Sequence, residues 1–421
     1  MRVLFCAFPA TAHVHPLVPL AWALQNAGHE VRVAIHPGAA HLVTEAGLAP
    51  VPVGAALTEV MEWNDNFEKL DSLTDFLSVD AAHDDGWERK WAGMTRMLAG
   101  FTPMLGDLVD FCRSWGPDLV LWDPFCVPAA VAATLTGAAQ ARFLWGQDNI
   151  GWLNARSRER LAQRGAGPEE DPVTALMRPM LEPYGLAHRE ELLLGQWSVD
   201  PVPAPLRLPV DLSYEPVRRV PYNGNRTPPA WVHERPERPR VCLSLGMGGR
   251  GRQLFREAGL SFADMVAALS ELDIELVATL HAEQLATVQE VPDNVRLVEY
   301  VPLNYLLPSC SALIHHGGGG TFAAAGAHRV PQLVTPLSMW GEARTARYVA
   351  DSGAGLMLEP GELTAESLCA AVQRLVTEPS FRAGADQLHS LIRSMPGPDE
   401  VVRRLEALTA QHRPQRRAVT L

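Results

Sequence analysis

The chain has 421 residues, 47% hydrophobic and 20% charged, with a formal net charge of −12. That length exceeds one ordinary core and sets two domains as the prior. The acidic balance speaks against a nucleic-acid surface, which needs a basic stripe, and no stretch approaches the roughly 20 apolar residues of a membrane-spanning helix.

In chain order, Arg2 to Phe8 reads as a first buried strand. Its apolar run is too short for a signal peptide, and Pro9 and His13 interrupt the residues after it. A loop carrying Thr11-Ala12-His13-Val14-His15 leads to a helix from Pro16 to Ala27. Pro16 suits a first helical turn and Gly28 the residue after a helix. Val31 to Ile35 is the next strand. Residues 55–100 differ in character: ten acidic side chains, Glu59 and Asp71 among them, alternate with Trp63, Phe67, Phe76, Trp87, Trp91 and Met94. This stretch reads as a helical insertion, either a solvated lid or an aromatic-anchored cover for an acceptor or a partner. Further strands are expected at Leu119–Trp122 and Arg142–Trp145. Ala155 to Asp171 reads as a second lid, and the proline-rich stretch Pro201 to Pro239 as an interdomain linker.

The second half opens like the first, with a strand at Arg240–Leu245, a glycine-rich loop at Gly246–Gly251, a helix at Phe262–Leu272 and a strand at Ile274–Leu280. Strands at Val295–Val298 and Gln332–Thr335 come next. Short continuous apolar runs with helical patterns between them fit parallel sheets covered on both faces. Two such starts indicate two doubly wound α/β domains. The six cysteines, Cys6, Cys112, Cys126, Cys242, Cys310 and Cys369, contain no C-x-x-C pair. They read as buried free thiols of a reducing cytoplasm. Arg403, Arg404, Arg413, Arg416 and Arg417 read as a solubilising tail.

The most informative segment is Ala312-Leu313-Ile314-His315-His316-Gly317-Gly318-Gly319-Gly320-Thr321. A strand ends, the backbone loses its side chains and an alanine-rich helix begins. The first amides of a helix lack internal partners and, with the macrodipole, form an anion site. Glycines let a phosphate approach, and the two histidines add donors, so the segment reads as a diphosphate cradle. Ligands of open α/β sheets bind at the carboxyl ends of strands, where His13 and His15 also fall. Asp123, after the Leu119–Trp122 strand, could orient a histidine through its Nδ1–H. A solvated loop histidine is the plainer alternative. The Ser244-Leu245-Gly246-Met247-Gly248-Gly249 cluster is not a Walker motif, because the P-loop lysine and hydroxyl are missing.

The His315–Thr321 run, followed by Val330-Pro331-Gln332-Leu333 and Pro336, resembles the nucleotide-sugar signature of the GT-B glycosyltransferases, in the family of macrolide, anthracycline and glycopeptide tailoring enzymes. Leu17–Leu24, Ala27–Val33, Gly47-Leu48 and Pro117–Asp123 resemble the same family, so nearly the whole chain is covered. Gly195–Pro201, Arg207–Leu212 and Val220–Gly224 resemble its activator-dependent branch. The resemblance implies two Rossmann-like domains facing across a cleft. The expected divisions are residues 1–215 for the acceptor, 216–239 as linker and 240–385 for the nucleotide sugar, with 386–421 returning to the first domain.

It further implies that His13 is a general base partnered by Asp123. His316, Gly319, Gly320 and Thr321 would hold the diphosphate, facing Ser244 and Gly246, while Val301 and Leu303 hold the base. Where the family usually has an acidic residue and Gln or Thr for the sugar hydroxyls, this chain has Trp340-Gly341, with Glu342 next. That departure implies a sugar poor in hydroxyls or a shifted role for Glu342. The residue before His13 is Ala12 where the family often has Gly.

The implied reaction is inverting transfer of a deoxysugar from a TDP-sugar to a hydroxyl of a polyketide aglycone, an anthracycline-like aromatic before a macrolide. No cofactor or metal is expected, since no Asp-x-Asp or carboxylate pair sits at the cradle. The branch often works with a haem-free P450-like helper protein, and a homodimer is compatible with it. No nucleic-acid or membrane partner is expected. A sugar-nucleotide 2-epimerase and a non-catalytic sugar-nucleotide-binding subunit are the other classes compatible with the same cradle.

Overall fold

The computed structural model describes residues 1–57, 87–245, 260–279, 291–336 and 341–413. The chain divides into two units, with crossings between Arg218 and Arg219 and between Met395 and Pro396. Residues 386–395 thus stay with the second unit, and the return to the first starts later than residue 386.

The first unit holds a seven-stranded sheet in the order β3-β2-β1-β4-β5-β6-β7, parallel throughout. Its strands are β1 (Arg2–Cys6), β2 (Glu30–Ile35), β3 (Ala49–Pro52), β4 (Leu119–Trp122), β5 (Ala139–Phe143), β6 (Ser198–Asp200) and β7 (Tyr214–Pro216). β4 is buried along its whole length and β1 from Val3 to Cys6, as expected of strands covered on both faces. β5 ends two residues earlier than the apolar pattern indicates and begins three earlier, because it buries two polar residues. The Trp122 indole donates to Gln140 Oε1 (2.7 Å), and Arg142 donates through Nη1 to Asp148 Oδ1 (2.8 Å). Once paired, such groups no longer carry the cost of burial. β7 lies inside the stretch read as linker, so residues 201–218 belong to the first unit.

Helix α1 (Thr11–Asn26) begins five residues before the expected start. Pro16 and Pro19 sit inside it and remove amide donors. Burial of Val14, Leu17, Val18, Leu20, Ala21 and Leu24 outweighs that loss. His13 therefore lies in a helical first turn rather than in a loop. α2 (Trp87–Ala99) is the described part of the acidic insertion; the positions 58–86 lie outside the described residues. Trp91 and Met94 are core residues there, not surface anchors. The second expected lid overlaps the later part of α3 (Asn149–Arg164), which is capped by Asp148, accepting the Gly151 amide, and closed by Gly165 in the left-handed region.

The second unit holds a six-stranded sheet in the order β10-β9-β8-β11-β12-β13, again parallel throughout. The strands are β8 (Arg240–Ser244), β9 (Glu275–Thr279), β10 (Val295–Val298), β11 (Cys310–His315), β12 (Gln332–Val334) and β13 (Gly355–Met357). Its helices include α4 (Phe262–Ser270), α5 (Gly319–His328), α6 (Glu342–Asp351) and α7 (Pro379–Arg393), whose His389 bonds the Gly326 carbonyl. The last helix, α8 (Pro398–His412), packs on α1 in the first unit. Arg404 pairs with Glu215, and Arg413 pairs with Asp118, so these arginines pin the helix rather than form a loose tail. Arg416 and Arg417 lie outside the described residues. All six cysteines are free thiols, five of them buried. No helix among the described residues is long and apolar enough to cross a membrane.

Candidate active site

Each sheet reverses its strand order once, between β1 and β4 in the first unit and between β8 and β11 in the second. Such reversals open a crevice at the carboxyl ends of the strands. The chemistry-bearing residues of each unit cluster at its own reversal.

In the first unit, His13 follows β1 and Asp123 follows β4. His13 Nδ1 lies 2.7 Å from Asp123 Oδ2, both side chains buried. The carboxylate is held in place, since its Oδ1 accepts the Phe125 amide (3.0 Å) and the Asp123 amide donates to Cys6 O (2.8 Å). With Nδ1 donating to the carboxylate, the neutral ring keeps its lone pair on Nε2, the atom able to accept a proton. His15 sits two residues on in the same helix, a spacing that does not put two side chains on one face. Three aromatic rings surround the imidazole: Trp145 at 4.5 Å, Phe8 at 4.6 Å and Phe125 at 5.6 Å between centroids. Sequence reasoning missed this trio. Its signal was available, as each lies two or three residues beyond the end of a strand: Phe8 after β1, Phe125 after β4 and Trp145 after β5.

In the second unit, β11 delivers two adjacent histidines with opposite tasks. His315 is fully buried, and burial lowers its imidazole to about 4, partly opposed by its bond to Gln332. It is therefore neutral at pH 7. Its Nδ1 accepts the Gly317 amide (3.1 Å) and its Nε2 donates to Gln332 Oε1 (2.9 Å). The expectation that both histidines donate to a ligand fails for His315, whose two nitrogens are committed to shaping the turn. His316 faces the other way. A Cβ on Gly318 would stand 2.7 Å from its Nε2, so the glycine is what lets the imidazole lie over the helix entrance.

Gly317 has φ +98°, a left-handed conformation suited to glycine, with the Glu342 carbonyl 3.1 Å from where a Cβ would be. Gly318 then caps α5 without a side chain, and its carbonyl accepts the Phe322 amide (3.0 Å). No described residue pairs with the amides of Gly319, Gly320 and Thr321. Both glycines are exposed, so three donors at the positive end of a ten-residue helix face outward.

Glu342, at the start of α6, is buried with Oε1 3.7 Å from His316 Nε2, beyond hydrogen-bond length but within reach of an ion pair. Its helix starts from Gly341, in the left-handed region at φ +83°. Ser244 ends β8 on the opposite flank of the reversal, and its Oγ accepts from Thr279 Oγ1 (3.0 Å). Val301 is a core residue, packed among Cys242, Val277 and Leu306, with Leu303 against it. Its side chain is thus unavailable to a ligand, while no described residue bonds its amide or carbonyl. Asn223 holds the neighbouring segment, accepting the Asn304 amide at Oδ1 (2.9 Å). Gly246 and Trp340 lie outside the described residues.

Comparison with known proteins agrees with this layout. Family models described as "Erythromycin biosynthesis protein CIII-like" match residues 22–246 with the N-terminal domain and 263–408 with the C-terminal domain. The chain is 44% identical to 10-deoxymethynolide desosaminyltransferase of Streptomyces venezuelae, covering 98% of each chain. It is 41% identical to aclacinomycin-T 2-deoxy-L-fucose transferase of Streptomyces galilaeus, over 99% of this chain and 98% of the other. Among solved structures, glycosyltransferase VinC in complex with DTDP superposes with a TM-score of 0.88 at 36% identity, covering 98% of this chain and 100% of VinC. Spinosyn forosaminyltransferase SpnP superposes at 0.79 and 40% identity, over 97% and 99% of the two chains. Two doubly wound parallel-sheet units, the GT-B architecture, and matches over both halves lead to one conclusion: the chain is a glycosyltransferase and belongs to the erythromycin biosynthesis protein CIII-like family.

Proposed function

We propose that this glycosyltransferase moves a deoxysugar from a TDP-sugar to a hydroxyl of a polyketide aglycone, inverting the anomeric carbon. The observation that carries the reading is the 2.7 Å His13–Asp123 pair at one sheet reversal, matched by the open helix end beneath His316 at the other. His13 Nε2 takes the proton of the acceptor hydroxyl, and Asp123 stabilises the imidazolium that forms. The acceptor oxygen bonds to the anomeric carbon as the carbon–oxygen bond to the diphosphate breaks. TDP leaves with that electron pair, its charge met by His316 and the amides of Gly319, Gly320 and Thr321. Attack opposite the leaving group inverts the centre. No metal or cofactor takes part in the proposed steps.

A thymine edge offers both an N–H donor and carbonyl acceptors, which suits the backbone carbonyl and amide of Val301. The DTDP-bound VinC and thymidine diphosphate-bound SpnG structures support this nucleotide. Similar chains carry names for transfer to macrolide and to anthracycline substrates alike. The anthracycline preference draws on the aromatic residues of 55–100; Trp63, Phe67 and Phe76 lie outside the described residues and Trp91 is core. Phe8, Phe125 and Trp145 support a hydrophobic acceptor of either class. Ser244 and Glu342 are assigned to the donor side, Glu342 beside His316. A haem-free P450-like helper is part of the proposal as a partner that raises turnover.

The test incubates purified enzyme with a panel of TDP-deoxysugars and of macrolactone and aromatic polyketide aglycones, with and without such a helper, read by mass. The expected result is an aglycone heavier by one deoxysugar with equimolar TDP. Isomerisation of the TDP-sugar in the absence of any aglycone, with no adduct, would overturn the transferase step.

A further inference from the structure

Trp145, whose ring lies 4.5 Å from the His13 imidazole, sits in the middle of the segment that joins β5 to α3. Backbone bonds do little to fix that segment. The β5 ladder ends with the Leu144 amide on the Val199 carbonyl (2.9 Å), and the amides of Gly146 and Gln147 bond no described residue. Two side chains at its ends close it instead. Arg142 donates through Nη1 to Asp148 Oδ1 (2.8 Å) and through Nη2 to Asp148 Oδ2 (2.5 Å), a bidentate clasp across six residues of chain.

The carboxylate of this clasp is saturated. Beyond the two guanidinium bonds, Oδ1 accepts the Gly151 amide (2.9 Å) and Oδ2 accepts the Tyr214 hydroxyl (2.8 Å). Arg142 Nε donates to Ser198 Oγ (3.0 Å) on β6. Both charged side chains are buried. Tyr214 comes from β7, and its ring lies under the Arg207 guanidinium at 5.4 Å, which pairs in turn with Asp200. A buried ion pair adds little to stability, since apolar residues of the same volume often hold a fold as well or better. What a bidentate pair does fix is direction, because fork and carboxylate share a plane.

A buried arginine of the second unit supplies a contrast. Arg240 opens β8 and bonds Glu275 (3.1 Å) and Ser309 (2.6 Å) at the amino end of its sheet. Ligands of such sheets bind at the carboxyl end. Arg142 and Asp148 flank the turn at that end of β5.

We propose that Arg142, Asp148 and Tyr214 are positioning residues of the acceptor side, which act through Trp145 by closing the turn that carries its ring. The inference rests on the reading of the rings around His13 as the acceptor contact. With the clasp intact, the indole keeps one place beside His13 and the aglycone meets a preformed wall. With the clasp loosened, the ring must be ordered at each binding event, which weakens acceptor binding without touching the donor.

The experiment is steady-state kinetics in both substrates, with a TDP-deoxysugar and a polyketide aglycone that the wild-type chain couples. The variants are Tyr214→Phe, Trp145→Ala, the two combined, and Arg142→Met with Asp148→Asn. Tyr214→Phe keeps the ring under Arg207 and removes only the hydroxyl. It should raise the acceptor KM about 3- to 10-fold, the scale of one aromatic contact, with kcat and donor KM within about 2-fold. Added to Trp145→Ala, it should change the acceptor KM by less than about 1.5-fold more, since the ring it positions is gone. Arg142→Met with Asp148→Asn removes both charges and keeps an asparagine cap on α3, so it should fold and raise the acceptor KM on the same scale. A wild-type acceptor KM in Tyr214→Phe and in the clasp variant would overturn this inference alone. So would effects of Tyr214→Phe and Trp145→Ala that multiply, or a rise in donor KM equal to that for the acceptor, which marks general loosening. An unchanged acceptor KM in Trp145→Ala would overturn the acceptor reading of the ring and this inference together.

Discussion

Asp123→Asn isolates what the His13 partner contributes. The asparagine side chain keeps the volume and can still accept the Phe125 amide, so the loop after β4 should hold. What disappears is the negative charge 2.7 Å from His13 Nδ1, and the side-chain NH₂ now turned to that nitrogen favours the tautomer with its proton on Nε2. In the resting enzyme that carboxylate faces a neutral ring; in the transition state it faces a developing imidazolium. Two unit charges about 4 Å apart interact by roughly 4 kcal/mol at an effective dielectric of about 20. The ground-state hydrogen bond already recovers part of this, about 1–2 kcal/mol. The difference, roughly 2–3 kcal/mol, sets a floor of about a 30- to 200-fold drop in kcat, to which the loss of the reactive tautomer adds. The assay is single-turnover transfer with an active donor–aglycone pair, alongside TDP affinity by calorimetry. The expected outcome is the stated loss in rate with TDP affinity unchanged. A rate within about 3-fold of wild type would refute the assignment of Asp123 to imidazolium stabilisation.

Trp145→Ala removes a ring 4.5 Å from the His13 imidazole. Loss of one aromatic contact should raise the acceptor KM about 2- to 10-fold, with TDP affinity unaffected; steady-state kinetics in both substrates checks it. His315 predicts an acid sensitivity. Its imidazole titrates at 6.5 unfolded and at about 4 in the fold. Below pH 6.5 the unfolded chain takes a proton that the folded chain refuses. The stability present above 6.5 is therefore lost as pH falls toward 4, by about 3 kcal/mol in full. His315→Asn keeps an acceptor for the Gly317 amide without that titration, so its melting temperature should fall less steeply between pH 6.5 and 4 than the wild-type value.

Much of the fold was legible from short apolar runs: the central β4 occurs where the pattern puts it, and so does the edge strand β10, although Arg296 interrupts its run. Legibility failed where a tertiary partner overrides a local signal. Pro16 looks like a helix start, yet burial of the residues around it carries α1 back to Thr11. Gln140 looks too polar for a strand core until Trp122 is seen to satisfy it. The short β7 hides among prolines, since three residues carry no period. At the site, His13, Asp123, His316 and the glycine run were readable from strand ends and from family resemblance. The different surroundings of His315 and His316 also needed coordinates, since both are buried and only the bonds of His315 to Gln332 and the Gly317 amide say which is which.

The central claim is a division of labour, with the base in the first unit and the diphosphate cradle in the second. Transfer rate and TDP affinity measured together in His13→Ala and His316→Ala test it most directly. His13→Ala should lose about 10²- to 10⁴-fold in transfer while binding TDP like the wild type. His316→Ala should weaken TDP about 10-fold or more, the scale of a hydrogen bond to a charged group. Near-normal transfer by His13→Ala, or undiminished TDP binding by His316→Ala, would contradict the account.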